Sequence, residues 1–542
     1  MRFFICVFIV LGILGCANQT SPGGGPQDKK APELKTSNPS NNQKNFNEKT
    51  ITLDFDEYVK LKDPSEEIMI APSIGKDVKF IAKKNRITIL PKQRWKENTT
   101  YSISFRDGIQ DITESNSALN LRLAFSTGPE IDSLSIQGKV EETFKEEIPD
   151  KITVALYSSD TFNIFNHQPL YFTKANKQGR FSINNLKSGQ YFIYAFEDKN
   201  KNLKVESKGE KFGYLIKPIN LIGKSDSVTI PLIRVDSRPI KITSIRRSDR
   251  LSTVRINKDV NSVKIEPSDK KLFTMTFGDK RDELLFYKST TEFEDSLKLN
   301  LQLTDSIGSQ KDTTIYLKFS RTKMPKEKFK ITYGKNNYNY ENKEVKLEAT
   351  TNKPIKQITL DSVYIQFDST TFQPLRSSEV KIDSMTNKIT INTFLELKHE
   401  EPKEKKLISP FVIFGKGAFV SIEDDSTKAT TQIIKIKKEE ELGSLSIEIQ
   451  TTEKDYIIEL LGRNNELVSS NKNIKFYTFK YLEPQEYKIR ITIDSNNNNR
   501  WDAGNYYLNE EPEKVILHRN FEGKTSIPVR ANWEVGPIKI KF

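Results

Sequence analysis

Apolar residues return at every second position along most of this chain: Ile51, Leu53 and Phe55; Ile87 and Ile89; Ile152, Val154 and Leu156; Leu297, Leu299, Leu301 and Leu303; Ile315, Leu317 and Phe319; Ile489, Ile491 and Ile493. A period of two puts one set of side chains on one face of an extended strand and their neighbours on the other, so these are half-buried strands. No stretch of similar length carries a helical stripe. Short strands separated by Asn, Asp, Gly and Pro clusters predict an all-β chain, a string of β-sandwich domains. The 542 residues suffice for several such domains. The only cysteines are Cys6 and Cys16, so beyond residue 16 the sandwiches must hold by packing, without disulfides.

The first residues read differently. Arg2 precedes an apolar run, Phe3 to Leu14, that ends in Ile13-Leu14-Gly15-Cys16. About a dozen apolar residues fall short of the roughly 20 that span a bilayer, so residues 1–15 read as a signal peptide ending in a lipobox. The expected mature chain begins at Cys16, whose thiol accepts diacylglycerol. Acyl chains contributing about 0.8 kcal/mol per buried methylene would then hold the body at a membrane. Residues 16–33, with Ser21-Pro22-Gly23-Gly24-Gly25-Pro26, read as a lipidated flexible stalk.

A net charge of +13 raises nucleic acid as a partner, but lysine and glutamate are interspersed, as in Lys403-Glu404-Lys405-Lys406 and Lys437-Lys438-Glu439-Glu440-Glu441. Mixed signs describe a solvated surface, and no nucleic-acid partner is expected. The three histidines, His167, His399 and His518, lie far apart, which argues against a histidine-rich zinc site or a serine–histidine relay.

Ala31-Pro32 with Ser37-Asn38-Pro39, then Ile51-Thr52-Leu53-Asp54-Phe55-Asp56, Ile87-Thr88-Ile89, Thr100-Tyr101-Ser102-Ile103 and Ala124-Phe125-Ser126-Thr127-Gly128 resemble the bacterial Ig-like domain of S-layer-protein type. With Pro22 to Asp28 and Phe55 to Leu61, the region resembles Ig-like outer-membrane lipoproteins of Bacteroidota. That resemblance implies an outer-membrane, lipid-anchored location, on the cell-surface or the periplasmic face, and brings no catalytic motif.

Ser133-Leu134-Ser135-Ile136 recurs as Ser444-Leu445-Ser446-Ile447, and Phe181, Ile183, Leu186 and Tyr191 recur as Tyr477, Phe479, Leu482 and Tyr487 with identical spacing. The Leu-x-x-Gly-x-Tyr form of the first copy resembles transthyretin-like, carboxypeptidase-regulatory modules. In the second copy Gln485 replaces the glycine. A weaker repeat pairs Asn85-Arg86-Ile87-Thr88-Ile89 with Asn387-Lys388-Ile389-Thr390-Ile391. The expected order is an Ig-like domain at 34–128, a transthyretin-like sandwich at 133–235, a β-sandwich of unassigned type at 236–322, an Ig-like domain at 325–440 and a second transthyretin-like sandwich at 441–542.

Each transthyretin-like module carries an Asp/Asn loop: Asp198, Asn200 and Asn202 with Glu206, and Asp494, Asn496 and Asn498 with Asp502. Oxygen side chains at positions 1, 3, 5 and 9 reproduce the first part of an EF-hand pattern, which makes calcium the candidate ligand. Position 6 lacks glycine, holding Leu203 and Asn499, and position 12 lacks glutamate, holding Gly209 and Asn505. The competing reading is a pair of self-capping hairpin turns. Asp54, Asp56 and Glu57 read as a solvent-exposed acidic strand rather than a catalytic pair, and Asp107 and Asp111 as turn formers. Trp95, Trp501 and Trp533 read as packing residues, with sugar stacking as the alternative. Ile538, Ile540 and Phe542 read as a closing sandwich strand rather than a barrel strand. The function expected is a non-enzymatic lipoprotein serving as scaffold or accessory subunit of an outer-membrane barrel complex for assembly, export or uptake. A surface adhesin or glycan-binding lipoprotein is the alternative.

Overall fold

The computed structural model describes residues 28–542 except 76, 119, 146, 150, 160, 224–226, 269–271, 290–295, 369 and 396–408. The signal segment, Cys16, the stalk to residue 27 and His399 lie outside the described residues. Regular structure is almost entirely β, and the α-helix among the described residues is one turn, Pro64–Glu67. No described helix is long and apolar enough to cross a membrane. The chain divides into two compact units, one of residues 1–140, 148–205 and 217–230, the other of 141–147, 206–216 and 231–542.

The first unit opens with the Ig-like module. One sheet runs in the order Leu34–Asn38, Ile51–Phe55, Arg86–Pro91, Val78–Lys83; another runs Met69–Ala71, Thr100–Ser104, Arg122–Ser126; Val59–Leu61 pairs with Ile109–Asp111. The alternation sets the core: Ile51, Leu53, Phe55, Ile87 and Ile89 meet Tyr101, Ile103, Leu123 and Phe125 in one buried cluster. Trp95 completes it, edge-on to Tyr101 and Phe125 at 4.8 and 5.2 Å, with its indole N–H donated to the Lys49 carbonyl at 3.0 Å. Trp95 is therefore core, as read.

The transthyretin-like module that follows places Arg180–Leu186, Leu134–Glu142 and Val228–Leu232 in one sheet, and Tyr171–Lys174, Ile152–Tyr157 and Gly189–Glu197 in another. Ile152–Tyr157 is buried at every position, as befits a central strand covered on both faces. The two modules of this unit touch where Ser73 N–H donates to Leu170 O at 2.9 Å and the Lys174 ammonium to Glu66 O at 3.1 Å.

In the second unit, Ile242–Arg247, Leu251–Ile256, Glu283–Lys288 and Phe273–Phe277 form one sheet, and Ser262–Glu266, Leu297–Thr304 and Gln310–Leu317 another. This is the strand order of the Ig-like module's two main sheets, so the segment that sequence left unassigned shares that topology. The next module repeats it once more: Ile331–Asn339, Glu344–Thr351, Lys388–Phe394, Val380–Asp383, then Phe372–Pro374, Val363–Gln366, Phe411–Phe414, Thr430–Ile433, with Ile355–Ile358 paired to Phe419–Ser421. Arg86–Pro91 and Lys388–Phe394 hold the same place in their sheets, which is what the Asn-x-Ile-Thr-Ile repeat anticipated.

The last module matches the first transthyretin-like one strand for strand: Phe476–Leu482, Gly443–Gln450 and Glu534–Lys541 in one sheet, Leu467–Lys472, Tyr456–Leu461, Gln485–Ile493 and Val515–Leu517 in the other. Glu534–Lys541 lies parallel to Gly443–Gln450 and closes the sandwich, with Ile540 buried. Two details of the repeat differ from the sequence reading. Leu134 faces Leu186 and Gly443 faces Leu482, so the two Ser-Leu-Ser-Ile segments are displaced by one pleat. A two-residue slip keeps every side chain on its face, so periodicity cannot detect it. Both copies carry a left-handed residue earlier in the turn, Asn185 (φ 58°) and Tyr481 (φ 55°); Gly189 also has a positive φ (157°), whereas Gln485, its counterpart, does not. Both turns are tied by the following tyrosine: Tyr191 Oη donates to Lys187 O at 2.9 Å and Tyr487 Oη to Glu483 O at 2.7 Å.

Candidate functional site

The two Asp/Asn loops have the same internal construction. Asp198 accepts the N–H groups of Asn202 (2.9 Å) and Leu203 (3.2 Å), Asn200 accepts from Asn202, and Asn202 accepts from Lys204. Asp494 accepts the N–H groups of Asn498 (2.9 Å) and Asn499 (3.0 Å), Asn496 accepts from Asn498, and Asn498 accepts from Arg500. Positions 4 and 6 of both loops are left-handed: Lys201 and Leu203 at φ 60° and 59°, Asn497 and Asn499 at 59° and 65°. Position 6 thus takes the conformation that glycine would take in an EF-hand, and the oxygens of positions 1, 3 and 5 accept backbone amides. These are nested Asx turns.

A second consequence of the left-handed positions is a change of parity. In the last module the side chains that converge are Asp494, Asn497 and Asn499, not Asn496 and Asn498. Their focus is the ammonium of Lys472, which lies 3.2 Å from Asp494 and 2.8 Å from Asn499 and also bonds Asn497. Asn496 and Asn498 turn instead to Asp502, donating at 2.6 and 2.5 Å. The side chain of Asp494 is fully buried; burial raises its pKa, but the Asn499 amide, Lys472 and the Asn498 amide outweigh that and hold it below the ordinary carboxylate value. The position on which Asp494, Asn497 and Asn499 converge in the second loop is taken, in this arrangement, by the ammonium of a lysine side chain. Among the described residues no cluster of three His, Cys, Asp or Glu side chains is placed to hold a metal.

Lys174 occupies the first module's equivalent of Lys472, since Thr153 pairs with Lys174 and Ile457 with Lys472 while Thr153 and Ile457 face Phe196 and Thr492. It points to Glu66 O instead, and burial lowers its pKa. The Glu66 carboxylate bonds Lys201, one of the two left-handed residues of the first loop. The first loop therefore serves the contact with the Ig-like module.

The second loop also packs against other segments of the second unit. Buried Glu513, which spacing did not reveal, accepts the N–H groups of Ser495 (2.7 Å) and Asp502 (3.1 Å). Its carbonyl accepts the Trp501 indole N–H at 2.9 Å, and the Trp501 ring meets Phe144 edge-on at 4.6 Å. Just beyond, Tyr506 meets Tyr214 at 5.6 Å, Tyr214 Oη donates to Glu510 O at 2.6 Å, and Asn505 Nδ2 donates to Ile307 O at 3.1 Å. Burial pushes the Tyr214 hydroxyl pKa well up. Trp501 is a packing residue, whereas Trp533 is half exposed under the Arg530 guanidinium at 4.7 Å.

A further junction joins residues 242–317 to residues 331–433. The Lys353 ammonium, almost fully buried, lies 2.6 Å from Glu423 and 2.9 Å from Asp425, and Arg250 from the preceding module bonds Glu423 and the carbonyls of Met324 and Pro325. Thr276 Oγ1 donates to Met385 O at 2.9 Å. Toward the last module, Tyr340 stacks on Tyr481 at 5.2 Å and 21°. That stack supports a tyrosine in the left-handed region, where a bulky residue is otherwise disfavoured.

The remaining acidic residues are structural. Asp54 bonds Arg86 at 2.6 and 2.9 Å, which holds its pKa down, and Asp56 accepts the Glu33 N–H at 2.8 Å. Asp111 is buried and accepts three backbone amides, from Glu114, Ser115 and Asn116, a turn former as read. The carboxylates of Asp54 and Asp56 do not converge on a common site.

The class defined by these features is a chain of β-sandwiches of two topologies. Residues 28–127 match the bacterial Ig-like domain family, so the chain contains such a domain. No curated protein matches the chain. Among solved structures, it is similar to the major pilin subunit BcpA of Bacillus cereus (9% identity, 76% of this chain and 99% of that chain, TM-score 0.13). It is also similar to SGBP-B of a Bacteroides ovatus mixed-linkage glucan utilization locus, solved with a mixed-linkage heptasaccharide (10%, 63% and 86%, TM-score 0.14), and to the human desmocollin-1 ectodomain (9%, 77% and 83%, TM-score 0.13). At these TM-scores none of the three supports an argument about function.

Proposed function

We propose that this protein is a non-enzymatic, lipid-anchored outer-membrane scaffold, tethered through Cys16, that serves as accessory subunit to an outer-membrane barrel. The observation that supports it most is how the modules of the second unit are joined. Buried ion pairs at Lys353, Glu423 and Arg250 and the ring contact of Tyr340 with Tyr481 fix neighbouring sandwiches of this unit against one another. Polar networks satisfied on all sides specify one arrangement more than they add stability. A body that must hold a partner in register needs such junctions, while a catalyst needs convergent reactive groups. The test is chemical crosslinking in intact cells followed by mass spectrometry of the material purified with the anchored protein. Recovery of one barrel protein in fixed proportion supports the scaffold reading. Recovery of the protein alone, or turnover of glycan, ester or peptide substrates by the purified chain, overturns it.

A further inference from the structure

The sheet made by Phe372–Pro374, Val363–Gln366, Phe411–Phe414 and Thr430–Ile433 turns Val363, Ile365, Val412 and Phe414 into the core. Its other face is uncharged, in a chain in which 29% of residues are charged. Register places Phe372, Gln366, Phe411 and Ile433 in one row across the four strands, directly opposite one another. The next row on the same face brings Tyr364 and Ile413 together, flanked by Pro374 and Thr431. Neither row contains a charge. The outward face of Leu297–Thr304 and Gln310–Leu317 shows the ordinary pattern, with Lys298, Asn300 and Gln302 opposite Tyr316, Thr314 and Asp312.

The large side chains are open. Phe372 is 65% exposed, Ile433 44% and Phe411 39%, and the Tyr364 ring meets Phe372 at 5.8 Å. Across a strand spacing of about 4.8 Å, Phe372 and Phe411 stand roughly 10 Å apart with Gln366 between them. The Gln366 amide donates to Asp368 O at 3.0 Å, which fixes the direction of its side-chain oxygen.

We infer that this face binds a neutral oligosaccharide lying across the strands, with hexose rings on Phe372 and Phe411 and hydroxyls reaching Gln366 and Tyr364. Three observations select that occupant. Two rows across four strands cover roughly 14 by 7 Å, far below the ~800 Å² per partner that a stable protein interface needs. A membrane-seated face combines apolar side chains with lysine and arginine, and these rows have none. Exposed aromatic rings spaced along a line, with Tyr364 edge-on to Phe372 and one uncharged hydrogen-bonding group between the rings, match the alternating apolar faces and hydroxyls of a sugar chain. This site is independent of the barrel partnership proposed above.

The test is affinity electrophoresis of the purified full chain in gels containing dextran, laminarin or galactomannan, with polygalacturonate as charged control, alongside Phe372→Ala, Phe411→Ala and the double variant. Phe372 is 65% exposed, so Phe372→Ala should keep the parent's melting temperature, while Phe411, 39% exposed, should cost some stability in Phe411→Ala and the double variant; melting is measured on the same samples, and binding is compared below the lowest melting temperature. The expected result is retardation by at least one neutral polymer and none by polygalacturonate. Affinity should weaken about two- to tenfold per ring, the usual worth of a ring contact, with the losses multiplying in the double variant. Absence of retardation by every neutral polymer, or retardation that the double variant retains, overturns the inference. So does a double variant whose only change is loss of self-association or of liposome binding, which would give the face to a second copy or a bilayer.

Discussion

Replacing Lys472 by methionine keeps the length of the side chain and removes the ammonium that Asp494, Asn497 and Asn499 surround. Removing one partner of a buried ion pair costs about 3–5 kcal/mol when the other is left alone. Asp494 is not left alone, because the amides of Asn498 and Asn499 still reach it, and Lys472 is itself 27% exposed. The expected cost is therefore that of one bond to a charged group, about 1.5–2 kcal/mol. Hydrogen exchange read at residues 494–500 reports it locally, as roughly 10- to 30-fold faster exchange of the loop amides. The same substitution frees three oxygens around the former ammonium position, an arrangement that can hold a hard cation weakly. With a dissociation constant near 10⁻³ M, 10 mM calcium restores about 1.4 kcal/mol to the variant. The parent loop, already holding its own cation, should not respond. Unchanged exchange in Lys472→Met, or equal calcium protection in parent and variant, would refute the view that lysine takes the metal's place.

Cys16→Ser should leave the protein unprocessed or released from membranes in fractionated cells; a fully processed membrane-bound product would place the anchor elsewhere. Glu423→Ala strips Lys353 and Arg250 of a shared partner while Asp425 remains, so it should cost about 2–3 kcal/mol and speed proteolysis of the 321–328 linker, whereas equal cleavage rates would mean the junction is not held there. Asp494 has a folded-state pKa below its ordinary 3.8, so its contribution is complete above that value and is lost as pH falls through the lower folded value. Exchange of the Asn498 and Asn499 amides, which Asp494 accepts, corrected for intrinsic rates, should be equal at pH 7 and pH 5 and rise only below about pH 4; loss of their protection at pH 5, with Ser495 set aside because the raised-pKa carboxyl of Glu513 holds its amide, would contradict the depressed value.

Much of the architecture is written in the order of residues. Alternation at Ile51, Leu53 and Phe55 or at Ile489, Ile491 and Ile493 dictates strands with one buried face, because only the pleat gives a period of two, and the spacing of Leu186 to Tyr191 and Leu482 to Tyr487 marks the same module twice. The Asp/Asn loops were legible as loops, and Asp198 and Asp494 as their first capping residues. Which side chains converge was not legible: left-handed backbone at Asn497 and Asn499 shifts the inward parity, and Lys472 arrives from a strand 22 residues away in sequence from Asp494. Glu513 and Phe144 reach the loop for the same reason. The uncharged face around Phe372 and Phe411 was hidden too, because its rows run across strands far apart in the chain. A local pattern states which face of one strand is apolar. Only the register between strands, set by packing over the whole sandwich, decides which residues from distant segments stand side by side.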